Sequence, residues 1–322
     1  MEYTTLGSTG LEVSKVCLGC MSFGSGDDWM LDRAESRELI ERAIDLGVNF
    51  FDTANVYSSG ESEDILGDVL ADYDRSEQVV ATKVFGEMAD APNRQGLSRK
   101  AIEQELAASL DRLGMDTVDL YQIHRWDYDT PIETTLRALD DAVRRGQVRH
   151  IGASSMWAHQ FQEALHTSDR LGLARFETMQ SLYHLAYREE EREMYPLCAK
   201  EDVGIMPWSP LGAGYLARPH EQFDATTRGE SEREYGTPYD EGPGSAEINE
   251  RTRELAEEYD ATMAQIALAW HFENDYTDTP IVGTTSVEHL EDAVEALDIS
   301  LSASDVEYLE EPYHPVPVFG HE

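Results

Sequence analysis

Short apolar runs alternate with longer stretches in which apolar residues recur every three or four positions along most of the chain. The short runs predict strands at Val16–Leu18, Asn49–Asp52, Val79–Lys83, Asp119–His124, Arg149–Ala153, Phe176–Met179, Gly204–Trp208 and Pro280–Gly283. They are bounded by polar or glycine residues, as the covered strands of a parallel sheet are. Ahead of them, residues 3–6 and 12–15 predict a hairpin turned through Gly7 and Gly10. The helical period appears at Leu39, Ile40, Ala43, Ile44 and Leu46, and again at Ile102, Leu106, Ser109, Leu110 and Leu113, where Gly114 ends it. The segment Pro131–Arg145 opens with Thr130 as a cap and Pro131 in the first turn, and runs into Gly146. Arg251–Tyr259, Met263–Phe272 and His289–Leu297 complete the series.

Eight strands alternating with helices, with no evident linker, predict a (β/α)8 barrel. The rival is a doubly wound sheet. Its dinucleotide version is weakened because no G-x-G-x-x-G follows an early strand, and Leu211-Gly212-Ala213-Gly214-Tyr215 only half resembles one after the seventh. The whole chain, 1–322, reads as one barrel domain, with a hairpin over 1–15, an acidic loop over 217–247 and a tail over 311–322 that covers the active-site mouth. The loop is rich in Glu, Asp, Gly, Pro and Ser, and is expected to lie partly ordered over a cofactor.

Charge narrows the function classes. The 322 residues carry 64 Asp and Glu against 25 Lys and Arg, a net charge of −39, and only Lys15, Lys83, Lys100 and Lys200 are lysines. Such a field repels nucleic acid and anionic membranes. Molar salt would screen its self-repulsion, so the composition predicts a cytoplasmic protein of a salt-accumulating, halophilic source. No basic-then-apolar leader and no run of about 18 apolar residues is present. Cys17, Cys20 and Cys198 are an odd count; the Cys17–Cys20 spacing lacks a second pair or a nearby histidine, which leaves buried or cleft-lining thiols and no metal site.

Barrel chemistry gathers at the carboxyl ends of strands. Those ends supply Asp52, Lys83 and His124, with Tyr57 five residues beyond Asp52. A phenol with an ordinary pKa of about 10 gives up its proton sluggishly at neutral pH. A neighbouring ammonium favours the phenolate, a carboxylate holds the ammonium, and an imidazole can fix a carbonyl oxygen. Singly, each residue has a plainer explanation: Asp52 a helix cap, Lys83 a surface charge, Tyr57 packing, His124 a satisfied rim histidine. Together they form a proton-delivery set.

The residues that frame this set resemble a known family. Phe51-Asp52-Thr53-Ala54-Asn55-Val56-Tyr57, Gly60-Glu61-Ser62-Glu63, Ala81-Thr82-Lys83 and Asp119-Leu120-Tyr121-Gln122-Ile123-His124 are similar to blocks of the NAD(P)H-dependent aldo-keto reductases. So are Ile151-Gly152-Ala153-Ser154-Ser155 and Pro207-Trp208-Ser209-Pro210-Leu211-Gly212, in the family order and over nearly the whole chain. The look is that of the bacterial and archaeal branch that also resembles potassium-channel β subunits. The resemblance implies the barrel, reduction of an aldehyde or ketone, and Asp52, Tyr57, Lys83 and His124 as the catalytic four. It implies Ser154 and Gln180 on the nicotinamide carboxamide, with Ser155 where asparagine is common. It also implies Trp208 stacked on the nicotinamide where tyrosine is usual, and Ser209, Leu211 and Gly212 along the pyrophosphate.

At the adenine end the resemblance implies Gly283, Thr284 and Ser286 around the ribose phosphate, His289 in place of an arginine, Asp292 beside the adenine, and Ala293 in place of an asparagine. No lysine or arginine lies between Pro280 and Leu297. Family habit favours NADP(H) over NAD(H), with Arg218 as a candidate phosphate partner, whereas the residues themselves argue for relaxed selectivity. Aromatic residues Phe23, Trp29, Phe85, Trp126 and Tyr183 are pocket candidates, and Tyr313, His314 and Phe319 are expected to fold over it. Arg125 reads two ways: an anchor for a substrate carboxylate, or a salt-bridge partner of Asp127 or Asp129. The alternative function is a nucleotide-binding regulatory subunit with vestigial redox activity; a hydrolase or isomerase has neither a metal cluster nor paired carboxylates behind it. The resemblance implies a small carbonyl or alcohol as the partner, and the sequence carries no signal for an oligomeric state.

Overall fold

The computed structural model describes residues 1–225 and 242–321. Two short strands, β1 (Tyr3–Thr5) and β2 (Glu12–Ser14), form the expected antiparallel hairpin. Its turn carries Leu6, which packs with Val13 onto Cys17, Phe50, Val79, Ala81, Leu120, Met206 and Ile281, closing the amino-terminal end of the barrel. Gly7 is required there: it has φ +48°, and a Cβ on it would meet the Gly204 nitrogen at 2.2 Å.

The barrel strands are β3 (Cys17–Gly19), β4 (Phe50–Asp52), β5 (Val79–Val84), β6 (Val118–Ile123), β7 (Val148–Ser154), β8 (Phe176–Gln180), β9 (Gly204–Ile205) and β10 (Ile281–Gly283). All neighbours are parallel, in the order β10-β3-β4-β5-β6-β7-β8-β9. Closure comes from the segment after β9, where Trp208 bridges to Ile281 and the Ile281 N–H donates to the Pro207 carbonyl at 2.8 Å. All eight predicted strands are present. The seventh is shorter than predicted, because Pro207 interrupts regular pairing before Trp208.

The outer ring consists of α1 (Arg33–Asp45), α2 (Glu61–Leu70), α3 (Arg99–Leu113), α4 (Ile132–Arg144), α5 (Ala158–Leu171), α6 (Met194–Glu201), α7 (Ser245–Glu258), α8 (Met263–Glu273) and α9 (Val287–Glu295), with α10 (Ala303–Glu310) following. Helix α4 starts one residue later than predicted, with Pro131 rather than Thr130 in the cap position. Of the predicted acidic loop, 226–241 lies outside the described residues. Its first part contains a turn of 3-10 helix at His220–Ala225, and its last residues, from Ser245, already belong to α7. Among the described residues, no helix is long and apolar enough to cross a membrane.

Candidate functional site

Asp52 ends β4, Lys83 lies one residue before the end of β5, and His124 immediately follows β6. Strand register places Lys83 opposite Gln122, and the loop after β4 returns over the same patch with the Thr53 carbonyl and Tyr57 Oη on the Lys83 ammonium. Lys83 is fully buried, and its ammonium bonds Asp52 Oδ1, the Thr53 carbonyl at 2.9 Å and Tyr57 Oη at 3.3 Å. Burial pulls the Lys83 pKa down. The charge of Asp52, then the electrostatic pull of Tyr57, together with the hydrogen bonds to both, outweigh that and leave it above the ordinary lysine value. The His124 ring meets the Tyr57 ring edge-on, with centroids 5.7 Å apart. Desolvation, then the charges of Lys83 and Arg125, hold its pKa well below the usual histidine value, so the imidazole is neutral. A charged lysine, a tyrosine hydroxyl and a neutral imidazole thus share one mouth.

Neighbouring elements fix this cluster. Asp52 Oδ2 accepts from Gln122 Nε2 at 2.9 Å and from Gln180 Nε2 at 3.0 Å. Gln122 was given no role in the sequence reading, although it sits two residues before His124 on the same face of β6. Tyr57 opens a turn in which Ser58 and Ser59 are left-handed, with φ of 46° and 54°, and the Ser58 hydroxyl is tied to the Phe23 carbonyl at 2.8 Å. The motif Gly60-Glu61-Ser62-Glu63 is structural. Ser62 Oγ donates to the Cys20 carbonyl and meets Thr53 Oγ1, while buried Glu63 accepts from Thr82 and Arg112. These bonds anchor α2 and hold the Tyr57 turn against the barrel. Cys17 and Cys20 are free and fully buried; burial, reinforced by Asp52, pushes both thiols up.

Of the residues assigned to the cofactor, Gln180 lies against this cluster through its bond to Asp52. Ser154 pairs with Gln180 in register, and Ser155, left-handed at φ 45°, accepts from Trp208 Nε1 at 3.1 Å. The Gln180 amide nitrogen is engaged by Asp52 and by Gln122 Oε1 at 3.2 Å, so it braces the Asp52 carboxylate. Ser209, Gly212, Ala213 and Gly214 all have positive φ, and Leu211 caps the turn they form. A Cβ on Gly212 would meet the ring of buried His184, and one on Gly214 would sit 3.2 Å from Arg218. The set of hydroxyls, amides, a half-buried indole and left-handed backbone turns suits a nicotinamide and a pyrophosphate. The residues therefore fit a bound dinucleotide.

The rim after β10 is different. Gly283 is exposed and Thr284 buried, with its carbonyl accepting from Ser22 Oγ at 3.0 Å. Thr284 Oγ1 donates to the Ser286 carbonyl and accepts from its N–H. Ser286 caps α9, accepting from the His289 N–H at 3.3 Å, and its hydroxyl donates to Glu288 at 2.7 Å. These two hydroxyls are occupied by the protein itself. His289 is exposed, and Asp292 and Arg218 are half-buried.

Several pocket candidates are placed elsewhere. Phe23 and Tyr183 are fully buried; the Tyr183 hydroxyl bonds Glu191 at 2.5 Å and Asn274 at 2.7 Å, so it belongs to the packed interior. Trp29, Phe85 and Trp126 are half-buried, and the last two pack on the core edge. In the tail, Tyr313 bonds Glu189 at 2.7 Å, the Phe319 N–H bonds the Tyr187 hydroxyl at 3.0 Å, and His321 pairs with buried Glu190 at 3.0 Å; His314 is exposed. Arg125 is not paired with Asp127 or Asp129. Asp127 instead accepts from the backbone N–H groups of Leu97, Asp129 and Thr130.

A sequence profile described as the Aldo/keto reductase family matches residues 15–313. A Schizosaccharomyces pombe protein bearing the name aryl-alcohol dehydrogenase is 41% identical, covering 99% of this chain and 97% of its own. The aldo-keto reductase dtxS3 of Metarhizium robertsii is 39% identical over 100% of this chain and 93% of its own. Versiconal hemiacetal acetate reductase of Aspergillus parasiticus is 40% identical over 98% of each chain. These fungal and yeast relatives correct the expectation of the archaeal, potassium-channel-β-like branch and of a halophilic source. The motif blocks behind that expectation frame a site common to the family and do not separate its branches, and net charge reports on a surface rather than on descent. With this match, the chain belongs to the aldo/keto reductase family and is an NAD(P)H-dependent oxidoreductase.

Proposed function

We propose that the protein reduces an aldehyde or ketone to the alcohol, reversibly, with Tyr57 as proton donor in reduction and acceptor in oxidation. The observation that carries this reading is the buried Lys83 ammonium held by Asp52 with Tyr57 Oη at 3.3 Å. A bound nicotinamide supplies the hydride. The chain does the rest. Neutral His124 donates a hydrogen bond to the carbonyl oxygen, and Tyr57 delivers a proton to that oxygen as negative charge develops. Lys83 favours the phenolate left behind, and Asp52, braced by Gln122 and Gln180, keeps the ammonium in place. On this reading the tail, whose Gly320 lies beside the Trp208 ring, shields the bound substrate from water. The name of the yeast relative makes an aryl aldehyde the first substrate to try.

The test is oxidation of NADH and NADPH by a panel of aryl and alkyl aldehydes, monitored alongside nucleotide binding. Aldehyde-dependent oxidation with stoichiometric alcohol is expected. Tight nucleotide binding without alcohol formation would contradict the reading and favour a regulatory subunit.

A further inference from the structure

In so acidic a chain, arginines find carboxylates readily. Leaving Arg218 aside, every described lysine and arginine other than Lys100 and Arg125 lies within ion-pair distance of one. Lys100 is exposed, so water serves it. Arg125 is half-buried, and its hydrogen bond is Nη1 to the His124 carbonyl at 2.8 Å. The acids two and four residues on do not relieve it, since Asp127 is taken by three backbone N–H groups. Desolvation holds the Arg125 pKa below the ordinary arginine value, and the nearby Tyr57 partly offsets this. The same guanidinium is felt by the His124 ring. Arg125 therefore lies within electrostatic reach of both groups that flank the reacting oxygen.

We propose that Arg125 is a substrate-binding residue, and that the enzyme acts on carbonyl compounds that carry a carboxylate, paired with this guanidinium while the carbonyl sits between Tyr57 and His124. The inference rests on the reductase reading and adds the substrate class. A half-buried arginine with no acid partner among the described residues is a costly arrangement that an anionic ligand relieves, and its planar fork suits a carboxylate bidentately. The net charge of −39 opposes approach of an anion. That long-range repulsion is screened beyond about 8 Å at physiological salt, whereas a contact pair in a closed mouth is not.

The test compares 4-carboxybenzaldehyde with its neutral methyl ester, and measures benzoate binding by calorimetry, in wild type and Arg125→Gln. Wild type is expected to favour the acid by about tenfold or more in kcat/KM. Arg125→Gln is expected to lose that preference through KM, with the ester changed by less than about threefold and benzoate binding lost. Equal use of acid and ester by wild type, or an equal loss on both in the variant, overturns the inference. If neither aldehyde turns over, the reductase reading fails; benzoate binding lost in Arg125→Gln then still supports the anion site, and benzoate binding unchanged overturns it.

Discussion

The mouth of the barrel and the rim after β10 are both polar, and they are built in opposite ways. At the mouth, Asp52 joins residues 31, 70 and 128 positions away, through Lys83, Gln122 and Gln180. At the rim, the side chains of Thr284, Ser286 and Glu288 bond partners two or three positions away, and Glu288 and His289 are exposed. The mouth is thus locked by the fold before any ligand arrives, and removing one member leaves others buried and unpaired. The rim is a local arrangement open to water, whose cost of change is small and whose charge is screened. Catalytic geometry is expected to be rigid, and selectivity for the cofactor's phosphate adjustable.

The largest effect expected is from Lys83→Met, which strands the Asp52 carboxylate in the barrel. Unfolding in urea should show a loss of about 3–5 kcal/mol along with loss of turnover; a loss under about 1 kcal/mol would break the contrast. Gln122→Leu removes one donor from Asp52 and should cost about 1–3 kcal/mol by the same measurement. At the rim, Ser286 and the residue's own N–H hold the Glu288 carboxyl below its ordinary range, so a negative charge occupies the helix end that a 2′-phosphate would seek. Titration should therefore find NADH bound at least as tightly as NADPH, with Glu288→Gln improving NADPH about fivefold. An NADPH preference already present in wild type would show that the rim does not discriminate in this way.

The smallest effect sharpens the comparison at the opposite end of the barrel. Burial pushes Asp278 up to about 6, against hydrogen bonds from the N–H groups of Ile205 and Gly7. With its folded pKa above the unfolded one, Asp278 binds its proton more readily in the native state. Its contribution to stability is present in acid and lost as pH rises through about 6. Asp278→Asn should thus raise the melting temperature relative to wild type more at pH 7.5 than at pH 5, by about 2–4 °C. An equal difference at both pH values would contradict this.

Strand positions, and the meeting of Lys83 with Asp52 and Tyr57 and of Tyr57 with His124, were legible because short apolar runs and the strand-end rule act locally on the sequence. Helix α5 was not, since Gln160, Thr167 and Ser168 help form its buried face and dilute the apolar stripe. Helix α6 is short and carries Pro196, and the residues that open α2 read as a motif. Gln122 and the bracing role of Gln180 depend on pairing between distant strands, which no local period reports. Phe23 and Tyr183 were assigned to the pocket because a loop aromatic can turn inward or outward, and packing alone decides which. The Asp127 turn, which leaves Arg125 without an acid, was likewise hidden until the backbone N–H groups had positions.

The central claim is that Tyr57 moves a proton and does not hold the cofactor. Tyr57→Phe keeps the ring against His124 and removes only the hydroxyl that faces Lys83. Single-turnover aldehyde reduction with bound NADH should slow by about 10²–10⁴-fold, while the NADH dissociation constant stays within about twofold. Reduction at the wild-type rate, or a loss of nucleotide affinity that accounts for the slowing, would contradict the account.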